Sequence, residues 1–330
     1  MLPFDITAAG NIHAPLPQAL IVQTEKLLEE DQDMAAVYAR LRQLDPTGER
    51  FARVLRDTID QLLNGEVTGR YDWNTLLKTE RTHAGTLVEI NLQREFRFDD
   101  GIDMDYLISG IDVDCKYSQQ FGSWMIPPEA RGHVCLLVWA SDEKTRWRAG
   151  LFRVSSEYLN GGNNRDLKTT IKAEHRNRIA WLWHDAELPE NVLLHMSAHD
   201  REAVFSYTSG QARLNELFRR VQNRRIGRNV VRTVAQQKDY MKRVRNNGGS
   251  RSALRPEGII ILGDYESDRR IAAALGIPVP REGEFVSTRV VQLPSQEGAR
   301  NAVILDGATW TCASPDDPTV PAPALPSYKK

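Results

Sequence analysis

Between positions 99 and 116 the chain gathers acidic side chains and ends them on a lysine: Asp99, Asp100, Asp103, Asp105, Asp112 and Asp114, then Lys116. The runs 104–108 and 111–116 are separated by Ser109-Gly110 alone, which predicts a hairpin closed by a two-residue turn. That turn sets the register. One side of the ribbon receives Met104, Tyr106, Ile108, Ile111, Val113 and Cys115, all apolar or nearly so. The other side sets Asp105 opposite Asp114, Asp103 opposite Lys116, and Leu107 opposite Asp112. Directly opposed like charges destabilise a hairpin, so the pattern calls for a divalent cation between the carboxylates. Aspartate oxygens suit a hard ion such as Mg²⁺, which completes its shell with water and substrate phosphates.

Lys116, two residues beyond Asp114 on the same face, brings an ammonium to the edge of such a site. There it could orient an attacking water, lower its pKa, or stabilise charge on a phosphorane-like transition state. Glu89, between Val88 and Ile90 in a helical stretch before the hairpin, adds a third carboxylate in apolar surroundings. Plainer readings stand beside these. Lys116 could simply pair with Asp103 across the ribbon, Glu89 could be a solvated helix residue, and Asp-x-Lys alone recurs by chance.

These groups must be held by a scaffold, and 330 residues suggest two domains of ordinary size. A composition of 41% hydrophobic and 26% charged residues is that of a globular protein. Helical spacing runs from Phe51 to Leu63 and stops at Asn64-Gly65, and a second helix covers 85–96. Strand-like runs follow at 104–108, 111–117, 133–140 and 146–154, so the first domain, 1–187, reads as a mixed α/β (α+β) sheet flanked by helices. The longest apolar run, 134–140, is too short for a bilayer and fits a buried strand. With no basic and apolar leader in the N-terminal residues, the expectation is a cytoplasmic protein without a membrane partner.

A linker is expected within 185–191, followed by a second domain over 188–314. Its helices, 211–221 and 228–244, flank a connection at 223–227; a strand at 258–263 and a hairpin around Asp306-Gly307 follow. Helix, turn, helix, then strands is the order of a winged helix-turn-helix. Residues 315–330, with five prolines, are expected to be disordered. Cys115, Cys135 and Cys312 have no spacing for a thiolate metal site or a disulfide framework, and no glycine loop for a nucleotide cofactor is present.

The net charge of -1 hides a strong separation: residues 211–256 carry thirteen basic side chains against Glu216 and Asp239, a local charge of +11. Such a segment points to a polyanionic partner, with Arg225, Arg228, Arg232, Lys238, Lys242, Arg243, Arg245 and Arg251 as candidate DNA contacts. Any of them could instead cap a helix or pair with Glu216 or Asp239. Residues 124–129 either enter a groove to read bases or form a proline-braced loop under the sheet; His83 and His133 read as structural. Carboxylates, lysine and a basic domain together point to phosphodiester hydrolysis.

The run from Gly85 through Glu89 to Phe96, then Asp105-Tyr106 and Val113-Asp114-Cys115-Lys116-Tyr117-Ser118, resembles the active site of NaeI-type restriction endonucleases. Residues 53–58, 124–129, 210–221 and 255–262 share the likeness. That family lies in the PD-(D/E)xK nuclease superfamily and is related in its catalytic domain to the nicking enzyme MutH. The resemblance implies Glu89, Asp105, Asp114 and Lys116 as the catalytic set, and Glu89, Asp105, Asp114 and Cys115 as the metal-binding positions. It also implies a homodimer whose subunits each pair a nuclease domain with a catabolite-activator-like winged-helix domain. Two copies of double-stranded DNA would bind per dimer, as in type IIE enzymes, at a GC-rich palindrome such as GCCGGC. Met104-Asp105 stands where the superfamily's Pro-Asp is found. The competing functions are a non-catalytic winged-helix DNA-binding regulator and a MutH-like nicking enzyme.

Overall fold

The chain, seen in a computed structural model, is described for residues 16–161, 166–245, 248–293 and 301–326. These fall into two compact units. One comprises Leu76–Pro189 with the chain before Leu63; the other comprises Leu63–Thr75 with the chain from Glu190 onward.

In the first unit, helices α1 (Gln18–Glu30), α2 (Gln32–Leu44), α3 (Glu49–Leu63) and α5 (Lys78–Phe96) accompany a six-stranded sheet; α4 (Gly65–Thr68) belongs to the second unit. The strands are β1 (Asp99–Asp100), β2 (Tyr106–Ile108), β3 (Ile111–Ser118), β4 (Val134–Ser141), β5 (Arg146–Arg153) and β6 (Ala180–Glu187), in sequential order. Every neighbouring pair is antiparallel except β3 and β4, which are parallel. Central β4 is buried from Val134 to Ala140, which is why it reads as an unbroken apolar run rather than an alternating one. One face of the sheet packs Trp147 and Trp183 against Phe51 of α3. The opposite face packs Cys135, Leu137, Trp139 and Phe152 with Trp124, Ile126 and Trp181.

Ser109 and Gly110 have φ of 53° and 77°, the left-handed pair of a type I′ turn, and they deliver the expected register: Tyr106 faces Val113, Leu107 faces Asp112, and Ile108 faces Ile111. The expected strand 104–108 nevertheless starts only at Tyr106. Residues 102–105 bend, with Ile102 N donating to Asp112 Oδ1 at 2.7 Å, and β1 takes the place beside β2. Met104 thereby leaves the side of Tyr106 and packs with the Trp124 cluster, and Asp103 is exposed in the bend.

The second unit contains α6 (Val192–His195), α7 (Ala198–Phe205), α8 (Gly210–Arg220), β7 (Ile226–Gly227) and α9 (Arg228–Ala235). Then come α10 (Tyr240–Val244), α11 (Ser250–Leu254), β8 (Ile259–Leu262), α12 (Glu266–Ala274), β9 (Glu284–Gln292), β10 (Ala302–Leu305) and β11 (Ala308–Cys312). Strand β9 pairs with β7, β8 and β11. The expected helix 228–244 is broken, because Gln236 turns left-handed with φ of 49° and polar residues separate α9 from α10. Residues 63–75, expected to lie in the N-terminal domain, are built into this unit. A Cβ on Gly65 would stand 2.0 Å from Thr233 Oγ1, Tyr71 stacks on Phe205, and Asn191 Nδ2 donates to the Tyr71 carbonyl at 2.8 Å.

The expected disordered tail is ordered as far as residue 326. Ala322 is buried, Arg255 Nε donates to its carbonyl at 2.9 Å, and Leu325 joins the cluster around Ile260 and Leu262. The prolines fit because this strap needs few backbone donors of its own; residues 327–330 lie outside the described residues. Among the described residues no helix is long and apolar enough to cross a membrane.

Beneath β4, Arg56 of α3 is ion-paired with Asp142 and, at 2.7 Å, with Asp60; the Arg56 and Asp142 side chains are 9% and 2% exposed. Without Asp142, Arg56 keeps Asp60 but loses the two hydrogen bonds to its most buried partner. Asp142→Ala is expected to lower the stability of the protein by about 1.5–3 kcal/mol, measured by chemical unfolding.

Candidate active site

The turn and the pairing of β2 with β3 bring together the residues singled out by sequence. Asp105 lies just before β2 and Asp114 and Lys116 in β3; the side chain of Lys116 reaches both carboxylates, Asp114 Oδ1 in a close ion pair and Asp105 Oδ2 at 3.5 Å. Asp105 Oδ2 also accepts from the backbone N–H of Cys115 at 2.7 Å. The repulsion expected of two facing carboxylates is therefore relieved by the lysine of the same hairpin. Lys116 is not partnered with Asp103 across the ribbon, because the bend at 102–105 carries Asp103 out to solvent.

Asp114 has a side chain only 5% exposed. Burial raises its pKa, with Asp105 adding to the rise and Lys116 opposing it. Burial acts to lower Lys116, but the Asp114 carboxylate outweighs it and holds the ammonium above its usual range, so Lys116 keeps its proton. Glu89, on α5, is pushed up to about 7 by burial and then by Asp105, with Lys116 acting against them and Asp114 adding to the rise. A solvated helix carboxylate would not feel these neighbours, so Glu89 belongs electrostatically to the same cluster. The hydroxyl of Tyr106 donates to the Glu89 carbonyl at 2.8 Å and ties this helix to the strand that follows Asp105.

Cys115 contributes differently from a thiolate ligand. Its thiol is fully buried, and burial raises its pKa. Its carbonyl, accepting from Lys116 Nζ at 3.0 Å, is what reaches the cluster. Among the described residues no group of three or more His, Cys, Asp or Glu side chains is arranged to hold a metal ion. The donor chemistry nonetheless fits Mg²⁺: carboxylate and carbonyl oxygens are hard ligands, and that ion needs only one or two carboxylates when waters and phosphates fill the rest of its shell.

Two neighbours were not legible in the sequence. The apolar pattern and the motif include Tyr106 but say nothing of its hydroxyl, and Cys135 lies outside both. Cys135 pairs with Asp114 in the β3/β4 ladder, and its thiol meets Asp114 Oδ2 at 3.6 Å. No local pattern announces it, because the register of a parallel pair is set by a crossover of many residues. In the loop 124–129, Trp124 is fully buried with Nε1 donating to the Val138 carbonyl at 2.8 Å and Ile126 bridges to Thr169, while Met125 and Glu129 are exposed. His83 is exposed and His133 caps a turn through its backbone.

In the second unit the candidate DNA contacts divide. Arg251 is a correction: its side chain, 9% exposed, is ion-paired at 3.0 Å with fully buried Asp268, so it holds α11 to α12. Arg225 is occupied by the Val279 carbonyl at 2.9 Å and by Glu284 at 3.6 Å. Arg232 stacks over Tyr240 and approaches Glu66 at 4.0 Å, while Lys242 pairs with Asp239. Arg228, Lys238 and Arg245 are exposed and Arg243 is half-buried. Other cations of the segment are also held internally, Arg219 by Glu216 and Glu257, Arg220 by Glu216 and Asp200, and Arg224 by Glu190.

A mixed sheet flanked by helices, carrying opposed carboxylates and a lysine on one hairpin, defines the class of α+β nucleases. The family model described as Restriction endonuclease NaeI matches residues 35–321. The Type II restriction enzyme NaeI of Lentzea aerocolonigenes is 53% identical over 306 residues, 90% of this chain and 96% of the relative. The chain belongs to the NaeI restriction endonuclease family.

The bond from Tyr106 to the Glu89 carbonyl carries a direct expectation. Tyr106→Phe keeps the ring in place and removes this bond alone, since the Glu89 carbonyl lies within α5 and keeps its helical N–H partner; stability should fall by about 0.5–1.5 kcal/mol in thermal or chemical unfolding.

Proposed function

We propose that Glu89, Asp105, Asp114 and Lys116 hydrolyse the DNA backbone with Mg²⁺ bound to the carboxylates and the Cys115 carbonyl. Family membership makes the chain a sequence-specific endonuclease acting on double-stranded DNA. The observation that carries the finer reading is the sharing of the Lys116 ammonium between Asp105 and Asp114.

When bound, Mg²⁺ would supply positive charge against the scissile phosphate and acidity for the attacking water. The protein's own groups do the rest. Lys116 donates hydrogen bonds; it orients a water and stabilises charge developing on the phosphate. Asp105 is fixed by the Cys115 N–H, so one oxygen has a set direction before any ligand arrives. Glu89 adds a third carboxylate on a separate helix. The products under this reading are a 3′-hydroxyl and a 5′-phosphate.

The helix-turn-helix of α8 and α9 with the following strands supports a winged-helix, catabolite-activator-like second domain. Continuing the family resemblance, we read the enzyme as a type IIE homodimer that engages two DNA sites and recognises GCCGGC. A cytoplasmic location is part of the same reading, since the substrate is there. The exposed cations Arg228, Lys238 and Arg245 are the favoured phosphate contacts of the second domain.

Plasmid digestion tests the chemistry. Discrete linear fragments are expected with Mg²⁺ and none with EDTA; Asp114→Ala and Lys116→Ala should each lower the rate by about 10²–10³-fold or more. Open circles alone would support the nicking alternative, and tight binding without scission in the unaltered protein would support the regulator. For binding, Lys238→Ala or Arg245→Ala should weaken affinity alike on all sequences and reduce the slope of log affinity against log salt by about one. Arg251→Ala should instead act through stability.

A further inference from the structure

We infer that Cys135 is a positioning residue for hydrolysis, its thiol donating to Oδ2 of Asp114 and thereby holding the carboxylate with Oδ1 turned towards Lys116. The inference rests on the proposed reading of Asp114 as a reacting residue.

The parallel pairing of β3 with β4 makes Asp114 and Cys135 Cα partners, and partners in a ladder project their side chains to the same face. Their separation of 3.6 Å between Sγ and Oδ2 follows from that register. The two oxygens of Asp114 therefore differ: Oδ1 meets the ammonium of Lys116, while Oδ2 meets a thiol that has no exposure to solvent. A carboxylate this deeply buried needs donors on both oxygens, because an unmatched one carries the full desolvation penalty. Cys135 packs in one cluster with Leu137, Trp139 and Phe152, and the one polar hydrogen those three side chains carry, on Trp139 Nε1, is already donated to the Gln119 carbonyl at 2.9 Å.

The residue type suits the place. A free cysteine packs as a small hydrophobe yet retains a weak S–H donor, and a thiol without water around it keeps the proton it must donate. A valine or alanine would satisfy the apolar cluster but leave Oδ2 unpartnered, so the carboxylate would lose its reason to hold one orientation. Ligand carboxylates are themselves held by such outer hydrogen bonds, and losing one costs about 10–100-fold in metal affinity or activity.

The test combines a metal-free spectroscopic readout with kinetics. The S–H stretching band of Cys135, assigned as the band lost in Cys135→Ala, should move to higher frequency in Asp114→Asn, because a neutral acceptor weakens the bond. An unmoved band overturns the proposal without any reference to activity. In cleavage assays Cys135→Ala should lower kcat by about tenfold with KM for DNA little changed, and Cys135→Ser, which restores a donor, should recover most of that loss. Wild-type kcat in Cys135→Ala, or an equal loss in both variants, assigns Cys135 to packing alone and overturns the proposal. Failure of the underlying reading is separate: it appears as undiminished cleavage by Asp114→Ala.

Discussion

The placement of one ammonium between two carboxylates governs this molecule. Lys116 lies beside Asp114 and within 3.5 Å of Asp105, so a hairpin that would otherwise oppose like charges becomes a compensated cluster. The tight turn at Ser109-Gly110 sets the register, and the N–H of Cys115 directs Asp105. Helix α5 is drawn to the same place by the Tyr106 hydroxyl, which brings Glu89 into the field of the two aspartates. Strand β4 then closes the inner side of Asp114 with a buried thiol. Each of these contacts has meaning only because the central charge balance holds.

That balance also clarifies how a metal and a lysine can share a site. In a cluster of partly buried carboxylates ionisation is costly, because burial disfavours the charged form and the neighbouring carboxylates repel it, which pushes Asp114 and Glu89 upward. Positive charge must come from somewhere, and Lys116 supplies it within the chain itself. Under the proposed reading, Mg²⁺ would be held by these same carboxylates, whose hard oxygen donors suit it.

The basic half of the chain teaches the opposite lesson about charge. A local excess of +11 over residues 211–256 looks like one electrostatic surface in the sequence. In the fold much of it is consumed internally, because carboxylates distant in sequence, such as Glu190, Asp200, Glu257 and Asp268, come to meet the arginines. Arg228, Lys238, Lys242 and Arg245 remain exposed. The chain also enters this unit twice, since residues 63–75 are built into it before α5 begins.

Features that depend on neighbours a few positions apart are legible in the amino-acid order. The hairpin and its register, the helix ending at Leu63, the buried character of β4 and the turn at Asp306-Gly307 follow from turn chemistry and periodicity, and with them the meeting of Asp105, Asp114 and Lys116. Long-range packing is what bends Asp103 away, pairs Arg251 with Asp268, buries Trp124 and lays the proline-rich strap against β8. It alone set Cys135 beside Asp114. Local periodicity is written in consecutive residues, whereas these partners are chosen by how distant segments fill space and satisfy one another's buried charges and hydrogen bonds.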